Sequence, residues 1–362
     1  MNNITSSPAW YSEKGNQDDV ICSTRIRLAR NLADFPFPQK LKEDDKEKVQ
    51  LKIFNAFAQF ENASDYQSLS TRNLELLGRL ILAERGVLTQ DMIEKNDTGV
   101  VIRSDGKVSC TINSTDHLHL ATFSTGLSLQ SNFELLSSID AKLQDYLQFA
   151  GMADFGYLAS RLRDMGTGMK ISMVFHLPAL SFAGLEKNIF KSLAQSGYDI
   201  FACFSNKQNS TTKSLGSYYR IVTQASYPAS ESEQLQKMEA VANQLLEAER
   251  EARVDFMKNK QTILKDKVYR ALAIIKYSRF ISLSEGLELI SAIKLGKNCN
   301  LFTGIDDATL FALLYRIQPA HLGFVIRSGN FIFEEDVTKP DEQTDRLRAL
   351  VLQETISSVS LV

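Results

Sequence analysis

The chain has 362 residues, of which 44% are hydrophobic and 23% are charged, with a formal net charge of −2. This composition is typical of a globular protein with one large domain and a smaller one. The charge balance, without a dense basic stripe, argues against nucleic-acid binding. The four cysteines form no Cys-x-x-Cys pair, and no run approaches 18 apolar residues. We therefore expect a cytoplasmic protein with no membrane segment.

A run of arginines near the N-terminus is the first informative segment: Ser23-Thr24-Arg25-Ile26-Arg27-Leu28-Ala29-Arg30-Asn31. In an extended segment Arg25 and Arg27 project from one face, so both guanidinium groups can bind one polyphosphate. The alternative is that these arginines form salt bridges on a solvated face.

Secondary structure is predicted from the spacing of apolar residues. Residues 1–95 are expected to be mainly helical, because 49–57 and 74–82 have helical spacing. Residues 99–103 and 107–112 flank a Ser-Asp-Gly turn and predict a β-hairpin. The remaining pattern predicts strands at 117–124, 155–162, 170–177, 200–204 and 217–224, and helices at 133–149 and 180–195. This order predicts an α+β domain with an antiparallel sheet flanked by helices.

The C-terminal third is predicted to be all helical. Ser230 and Glu233 have capping-box spacing, which begins a long helix that ends near residue 260, and Ser282 and Glu285 begin a later one. We therefore divide the chain into an N-terminal part (1–95), an α+β domain (96–258) and a helical domain (259–362). The apolar pattern of residues 267–326 predicts burial against the rest of the chain or a second subunit.

Several further segments occur in a recognisable order. They are Ile112-Asn113 with Asp116-His117-Leu118, Phe155-Gly156-Tyr157-Leu158, Gly166-Thr167-Gly168, His176-Leu177-Pro178-Ala179-Leu180 and Lys267-Val268-Tyr269-Arg270. With the arginine run, they resemble the guanidino phosphotransferases (phosphagen kinases), and most closely the bacterial protein-arginine kinases. That resemblance implies phosphoryl transfer from ATP with Mg²⁺ to arginine. It also implies a homodimer formed by the C-terminal domain, a zinc-binding activator protein and a Clp-type ATPase.

The carboxylates of the family are largely missing. Guanidino transfer needs carboxylates that hold the guanidinium and make it nucleophilic. Where the family has the loop N-E-E-D-H, this chain has Ser114 and Thr115 in place of both glutamates. In the family's G-E-G-S-E loop, Lys213 stands at the last glutamate, where a cation repels the substrate. Asp116 and Asp164 are the acids that can substitute for them.

Some of the family's phosphate-binding arginines are also replaced. Cations bind the transferred phosphoryl group and neutralise its charge. Arg25 and Arg27 match the family pattern, whereas His119, Lys170 and Ser205 stand where the family has arginine. We predict that any ATP is bound by Arg25, Arg27, His119 and Lys170.

Two functional hypotheses remain open. The first is a pseudokinase, a scaffold or adaptor in protein quality control, and the missing glutamates favour it. The second is a divergent active protein-arginine kinase that uses Asp116 and Asp164. His117 and His119 share one side of a predicted strand, but we predict no metal site, because the chain has only four histidines.

A separate ligand site is suggested near the C-terminus. Asp345 and Arg348 are three residues apart on a predicted helix, so they are neighbours on one face. They resemble part of the R-D-x-x-R-A motif that binds phosphoarginine in the bacterial kinases, although Thr344 replaces its first arginine. A surface salt bridge is the alternative.

Overall fold

The computed structural model describes residues 9–204, 214–329 and 331–362. In chain order its strands are β1 (Ile21–Arg30), β2 (Tyr66–Ser70), β3 (Gly99–Arg103), β4 (Val108–Ile112), β5 (Leu118–Thr125), β6 (Gly151–Met152), β7 (Gly156–Tyr157), β8 (Met169–His176), β9 (Tyr198–Ala202), β10 (Tyr218–Thr223), β11 (Phe302–Thr303) and β12 (Ser360–Leu361). Eight of them form one antiparallel sheet in the order β2-β3-β4-β5-β1-β8-β10-β9. The pairs β6–β7 and β11–β12 are two-residue ribbons.

The helices cover both faces of this sheet. They are α1 (Glu43–Ala58), α2 (Leu76–Glu84), α3 (Gln90–Ile93), α4 (Leu129–Gln144), α5 (Pro178–Ala183), α6 (Glu186–Gln195), α7 (Glu231–Asn259), α8 (Gln261–Tyr277), α9 (Leu283–Asn298), α10 (Asp307–Arg316), α11 (Pro319–Ser328) and α12 (Pro340–Thr355). Within the described residues, no single helix has the length and hydropathy needed to cross a membrane, and only the bent pair α10–α11 meets both criteria jointly.

One face of the sheet is covered by α4 and α7. Ile26 and Leu28 of β1 are almost fully buried there, and they pack with Leu136, Ile139 and Met238. Because side chains alternate along a strand, Arg25 and Arg27 project from the opposite face. The alternation within β1 therefore separates an apolar core from a cationic surface.

The C-terminal helices form a second core against the opposite face. That core includes Trp10, Phe123 and Tyr218 together with the buried faces of α8, α9, α10 and α12. Polar contacts also join the two parts: Lys294 Nζ donates to the Asp18 carbonyl over 2.7 Å, and His176 Nε2 lies 2.8 Å from Ser291 Oγ. The cationic face is consequently closed at one end by the C-terminal helices.

The structure confirms the α+β fold with its antiparallel sheet and helical C-terminal region. The hairpin β3–β4 is present, and the Ser230 and Ser282 side chains accept hydrogen bonds from the amides of Glu233 and Glu285. The chain passes from α7 to α8 at residue 260. The domain boundaries remain a prediction, because the second core also contains residues from before position 259.

Two predicted elements differ from those in the structure, and one central strand was not predicted. The strand predicted at 155–162 is limited to Gly156–Tyr157, followed by a short helical turn. The helix predicted at 180–195 is divided because Gly184 adopts a left-handed conformation, with φ of +71°. The part expected to be mainly helical contains β1, which lies at the centre of the sheet.

Candidate functional site

The candidate site is the cationic face of the sheet. In the strand register Arg25 lies between Phe123 of β5 and Ser172 of β8, and Arg27 lies between Ala121 and Lys170. Directly paired residues project from the same face of a sheet. The register therefore brings Arg25, Arg27 and Lys170 together, as the sequence predicted.

Arg25 and Arg27 have no anionic partner among the described residues. Neither side chain forms an ion pair there, and the Nε atom of each is buried without a hydrogen-bond partner. Burial, with the neighbouring Arg27 and Arg220, lowers the pKa of Arg25 to about 9. Burial also lowers the pKa of Arg27, although Asp164 and Asp116 oppose the shift. Such unpaired guanidinium groups fit the oxygens of a phosphate.

The third arginine of the run has a structural role. Arg30 projects from the other face and forms a two-point ion pair with Asp140, with N–O distances of 3.1 and 3.0 Å. Its guanidinium also donates to the Thr167 carbonyl and lies 3.5 Å from the centre of the Tyr157 ring. Arg30 thus anchors the loop that contains Thr167 to the sheet.

The turn between β4 and β5 contains the two replaced glutamate positions. Asn113 begins this turn with a φ of +56°, and its side chain donates to the carbonyls of Lys46 and Asp97. Ser114 and Thr115 are half-buried in the turn. Both are uncharged, so neither can neutralise a guanidinium or accept its proton at neutral pH.

Asp116 is fully buried, and both of its carboxylate oxygens accept hydrogen bonds. It accepts hydrogen bonds from Asn31 Nδ2 and the Ser160 amide, both over 2.7 Å, and from His119 Nε2 over 3.0 Å. Burial alone would raise the pKa of this carboxyl, but the hydrogen bonds from His119, Ser160 and Asn31 outweigh it and lower the pKa. Asp116 is therefore a carboxylate with both oxygens already engaged by the protein.

His117 and His119 point into different surroundings. Nδ1 of His117 accepts from the Leu32 amide and its Nε2 donates to the Pro36 carbonyl, so this ring fixes the chain after β1. Burial and the nearby Arg27 lower the pKa of His119 to about 4, despite Asp116. At neutral pH His119 is uncharged and cannot replace the arginine that the family has there.

Asp164 and Lys170 neutralise each other. Asp164 is 2% exposed, and its Oδ1 lies 2.6 Å from Lys170 Nζ. Burial lowers the pKa of Lys170, and the contact with Asp164 opposes that shift. Asp164, the second candidate acid, is thus paired with Lys170, the one lysine among the residues predicted to bind ATP.

Two of the sequence-predicted residues lie outside the described residues. They are Lys213, at the position of the family's last loop glutamate, and Ser205, at an arginine position. No candidate metal site of three or more His, Cys, Asp or Glu side chains occurs within residues 9–204, 214–329 and 331–362.

Asp345 and Arg348 lie together on α12, as predicted, and form an ion pair. Arg348 is 1% exposed, and it donates from Nε to the Ile317 carbonyl and from Nη1 to the Ile281 carbonyl, over 2.9 and 2.8 Å. These bonds join three helical segments. This geometry favours a structural role over phosphoarginine binding.

Two residues at the site were missed by sequence reasoning. Arg220 of β10 pairs with Val174 of β8 and projects from the cationic face, where it lines a cavity with Arg25. Asn31 binds Asp116 and also accepts from the His117 amide over 2.9 Å. Side chains alternate along the predicted strand 217–224. This alternation could have shown that Arg220 projects from the sheet face opposite to that of the buried Tyr219 and Ile221.

The antiparallel sheet, with an apolar core on one face and a phosphate-type arginine surface on the other, defines the phosphagen kinase class of phosphotransferase. Residues 48–252 match the family "ATP:guanido phosphotransferase, C-terminal catalytic domain", and residues 261–361 match "Protein-arginine kinase McsB C-terminal domain". Solved structures agree at the level of the fold. The crystal structure of lombricine kinase aligns over 68% of this chain and 70% of its own, with a TM-score of 0.57 and 17% identity.

Sequence relatives narrow the assignment. A protein named protein-arginine kinase from Syntrophomonas wolfei is 30% identical over 319 residues, which is 87% of this chain and 88% of the relative. A protein of the same name from Desulforamulus reducens is 30% identical over 345 residues, 94% of this chain and 96% of the relative. The chain therefore belongs to the ATP:guanido phosphotransferase family, in its protein-arginine kinase branch.

Proposed function

We propose that this protein is a pseudokinase of the protein-arginine kinase family that serves as a scaffold or adaptor in protein quality control. The observation that carries the proposal is the state of the two acids left to replace the missing glutamates. Both oxygens of Asp116 already accept hydrogen bonds from the protein, and Asp164 is paired with Lys170. Neither acid is free to bind a substrate guanidinium.

The size of the expected loss supports this proposal. A missing general base costs about 10²–10⁴ in rate. An arginine that stabilises the transferring phosphoryl group contributes about 10³–10⁵. These factors do not simply multiply, because residues that act together are not additive. Even the smaller of them removes most of a typical kinase turnover.

Nucleotide binding is expected to be weak. The buried, unpartnered Nε atoms of Arg25 and Arg27 fit phosphate oxygens, so these residues would hold the phosphates of ATP. ATP with Mg²⁺ would supply the transferable phosphoryl group. The other cationic positions contribute little, since His119 is neutral and Lys170 is paired with Asp164.

The proposed partners follow from the family. We expect a homodimer, a zinc-binding activator protein and a Clp-type ATPase, as the resemblance to bacterial protein-arginine kinases implies, and we expect the protein to act in the cytoplasm. The buried apolar faces of α8, α9, α10 and α12 form a folded C-terminal core that does not include the altered site. Binding roles of that region can therefore persist without catalysis.

The alternative function is a divergent active kinase, which the unpaired Arg25 and Arg27 favour. Incubation of the purified protein with labelled ATP, magnesium and a protein substrate, followed by detection of acid-labile phosphate on arginine, distinguishes the two. We expect no phosphoarginine above background. Sustained phosphoarginine formation that disappears in Asp116→Asn or Asp164→Asn would establish the active kinase instead.

A further inference from the structure

A small cavity lies beside Arg25, between three parts of the chain. Its floor is the cationic face of the sheet, one wall is the end of α2, and its roof is α10. Its volume is about 220 Å³. Its lining includes Ser23, Arg25, Ser172 and Arg220 from the sheet and Glu84 and Arg85 from the wall.

The cavity is positively charged without a free counter-ion. Arg25, Arg85 and Arg220 line it, and Glu84 is the one carboxylate among the described lining residues. The Glu84 carboxylate accepts from the amides of Ala320 and His321 at the start of α11, over 2.7 and 3.0 Å. It is therefore held at the helix N-terminus, and three cations in the cavity face this one carboxylate.

The donors of the cavity are arranged for an oxyanion. Arg25 has a buried Nε with no acceptor, and its guanidinium lies 5.0 Å from the centre of the Phe123 ring, which fixes its position. Ser172 is the direct cross-strand partner of Arg25, so its hydroxyl projects on the same side. Arg220 is exposed, and its guanidinium lies over the Phe201 ring, 5.5 Å from the ring centre, at the edge of the cavity. Guanidinium and hydroxyl donors together are typical of phosphate sites.

The volume limits how much of a ligand the cavity can enclose. Pockets that bind drug-sized molecules enclose about 300–1,000 Å³, which is more than the 220 Å³ found here. A neighbouring cavity of about 560 Å³ also has Trp10 and Arg85 in its lining. Trp10 is 5% exposed and packs against Phe123, Phe311 and Tyr315, so it forms a wall between the two cavities. A nucleoside cannot extend from one into the other past this ring.

We propose that this cavity binds a small phosphate-type oxyanion, inorganic phosphate or pyrophosphate, through Arg25 and Arg220, in preference to a nucleoside triphosphate. The inference rests on the proposed function, because a working kinase would need ATP on this same face. The bound anion would contact the sheet, the end of α2 and the roof formed by α10. It would thereby link the C-terminal helices to the sheet.

Calorimetric titration of the full chain with pyrophosphate, inorganic phosphate and ATP with magnesium tests the proposal. We expect pyrophosphate or phosphate to bind at least ten-fold more tightly than ATP. Arg25→Gln and Arg220→Gln should each weaken that binding by ten-fold or more. Arg270→Gln is the charge-matched control, because Arg270 is 70% exposed on α8 and pairs with Asp266, and it should bind like the wild type.

Melting temperatures measured with and without pyrophosphate show whether each variant is folded and whether it binds the anion. Because the anion binds only the folded protein, a fixed pyrophosphate concentration should raise the melting temperature of the wild type and Arg270→Gln equally, and that of Arg220→Gln by less. Tighter binding of ATP than of pyrophosphate, no anion binding at millimolar concentration, or unchanged binding in Arg220→Gln would overturn the inference. Phosphoarginine formation is measured separately, and its appearance would contradict the proposed function.

Discussion

At the scale of single residues, three of the motif positions that this chain keeps have buried structural contacts. Asn31, Asp116 and His117 bind one another and the backbone around them. The replaced positions Ser114, Thr115, His119 and Lys170 are those to which the family resemblance gives a role in chemistry. Replacement of these positions with retention of the framework is the pattern expected of the proposed pseudokinase.

The first prediction concerns the framework role of Asp116. Asp116→Ala leaves the donors of Asn31, Ser160 and His119 without this acceptor, so we expect a loss of about 3 kcal/mol in the free energy of unfolding. Asp266→Ala is the control, because Asp266 is 71% exposed and its ion pair should contribute less than about 1 kcal/mol. Urea denaturation measures both. Equal stability of Asp116→Ala and the wild type would show that Asp116 has no framework role.

The second prediction concerns pH. The pKa of His119 is about 4 in the folded protein and 6.5 ordinarily, so the unfolded chain binds a proton between these values and the folded chain does not. Stability should therefore fall as the pH decreases from 6.5 toward 4, with a contribution from His119 on the order of 3 kcal/mol. Asp116, Arg27 and Arg25 are the charged groups that act on the ring.

His119→Asn, which does not titrate, should show a shallower dependence of the free energy of unfolding on pH. A residual slope is expected, because burial also lowers the pKa of His117 and His176. Denaturation at pH 7 and pH 5 measures the difference. The same slope in the variant and the wild type would mean that His119 is charged in the folded protein.

At the scale of elements, features that depend on neighbouring residues were predicted from the sequence, whereas features that depend on distant residues were not. The β3–β4 hairpin and the capping serines of α7 and α9 depend on neighbouring residues, and all were found from sequence. The place of β1 depends on pairing with β5 and β8, roughly 95 and 145 residues later. For the same reason the partners of Asp116 could not be predicted, because Asn31 and Ser160 come from distant segments.

The third prediction tests the loop that leads into β8. A Cβ atom on Gly168 would lie 2.6 Å from the Ala29 carbonyl oxygen and 2.7 Å from Arg30 Nη1, at a φ of +67°. We expect Gly168→Ala to cost 3 kcal/mol or more, on the order of the backbone strain plus a core clash. Gly184 is the matched control, since its φ is +71° and nothing lies within 4 Å of the added atom.

Gly184→Ala should therefore cost only about 1 kcal/mol, the price of a left-handed conformation for alanine. Thermal or urea unfolding of the two variants gives the comparison. Equal destabilisation would mean that the loop can move away from Ala29 and Arg30, and that Arg30 does not hold it rigidly.

At the scale of the whole molecule, the chain combines an intact fold with an altered chemical centre. The sheet, its apolar core and the C-terminal helices follow the phosphagen kinase pattern, and Arg25 and Arg27 remain available for an anion. The carboxylates that would activate a guanidinium are absent or engaged among the described residues. Fold and family could be recognised from sequence, whereas the engagement of Asp116 and Asp164 required the three-dimensional arrangement.

The rate of phosphoarginine formation tests this account most directly. An ordinary kinase turns over at about 1–100 s⁻¹, and we predict that the wild type is slower by at least about 10³-fold. The assay should include the zinc-binding activator protein that the family resemblance implies, with Asp116→Asn and Asp164→Asn as controls that leave the background unchanged. Turnover within the ordinary range, lost in either control variant, would contradict the account and establish an active protein-arginine kinase.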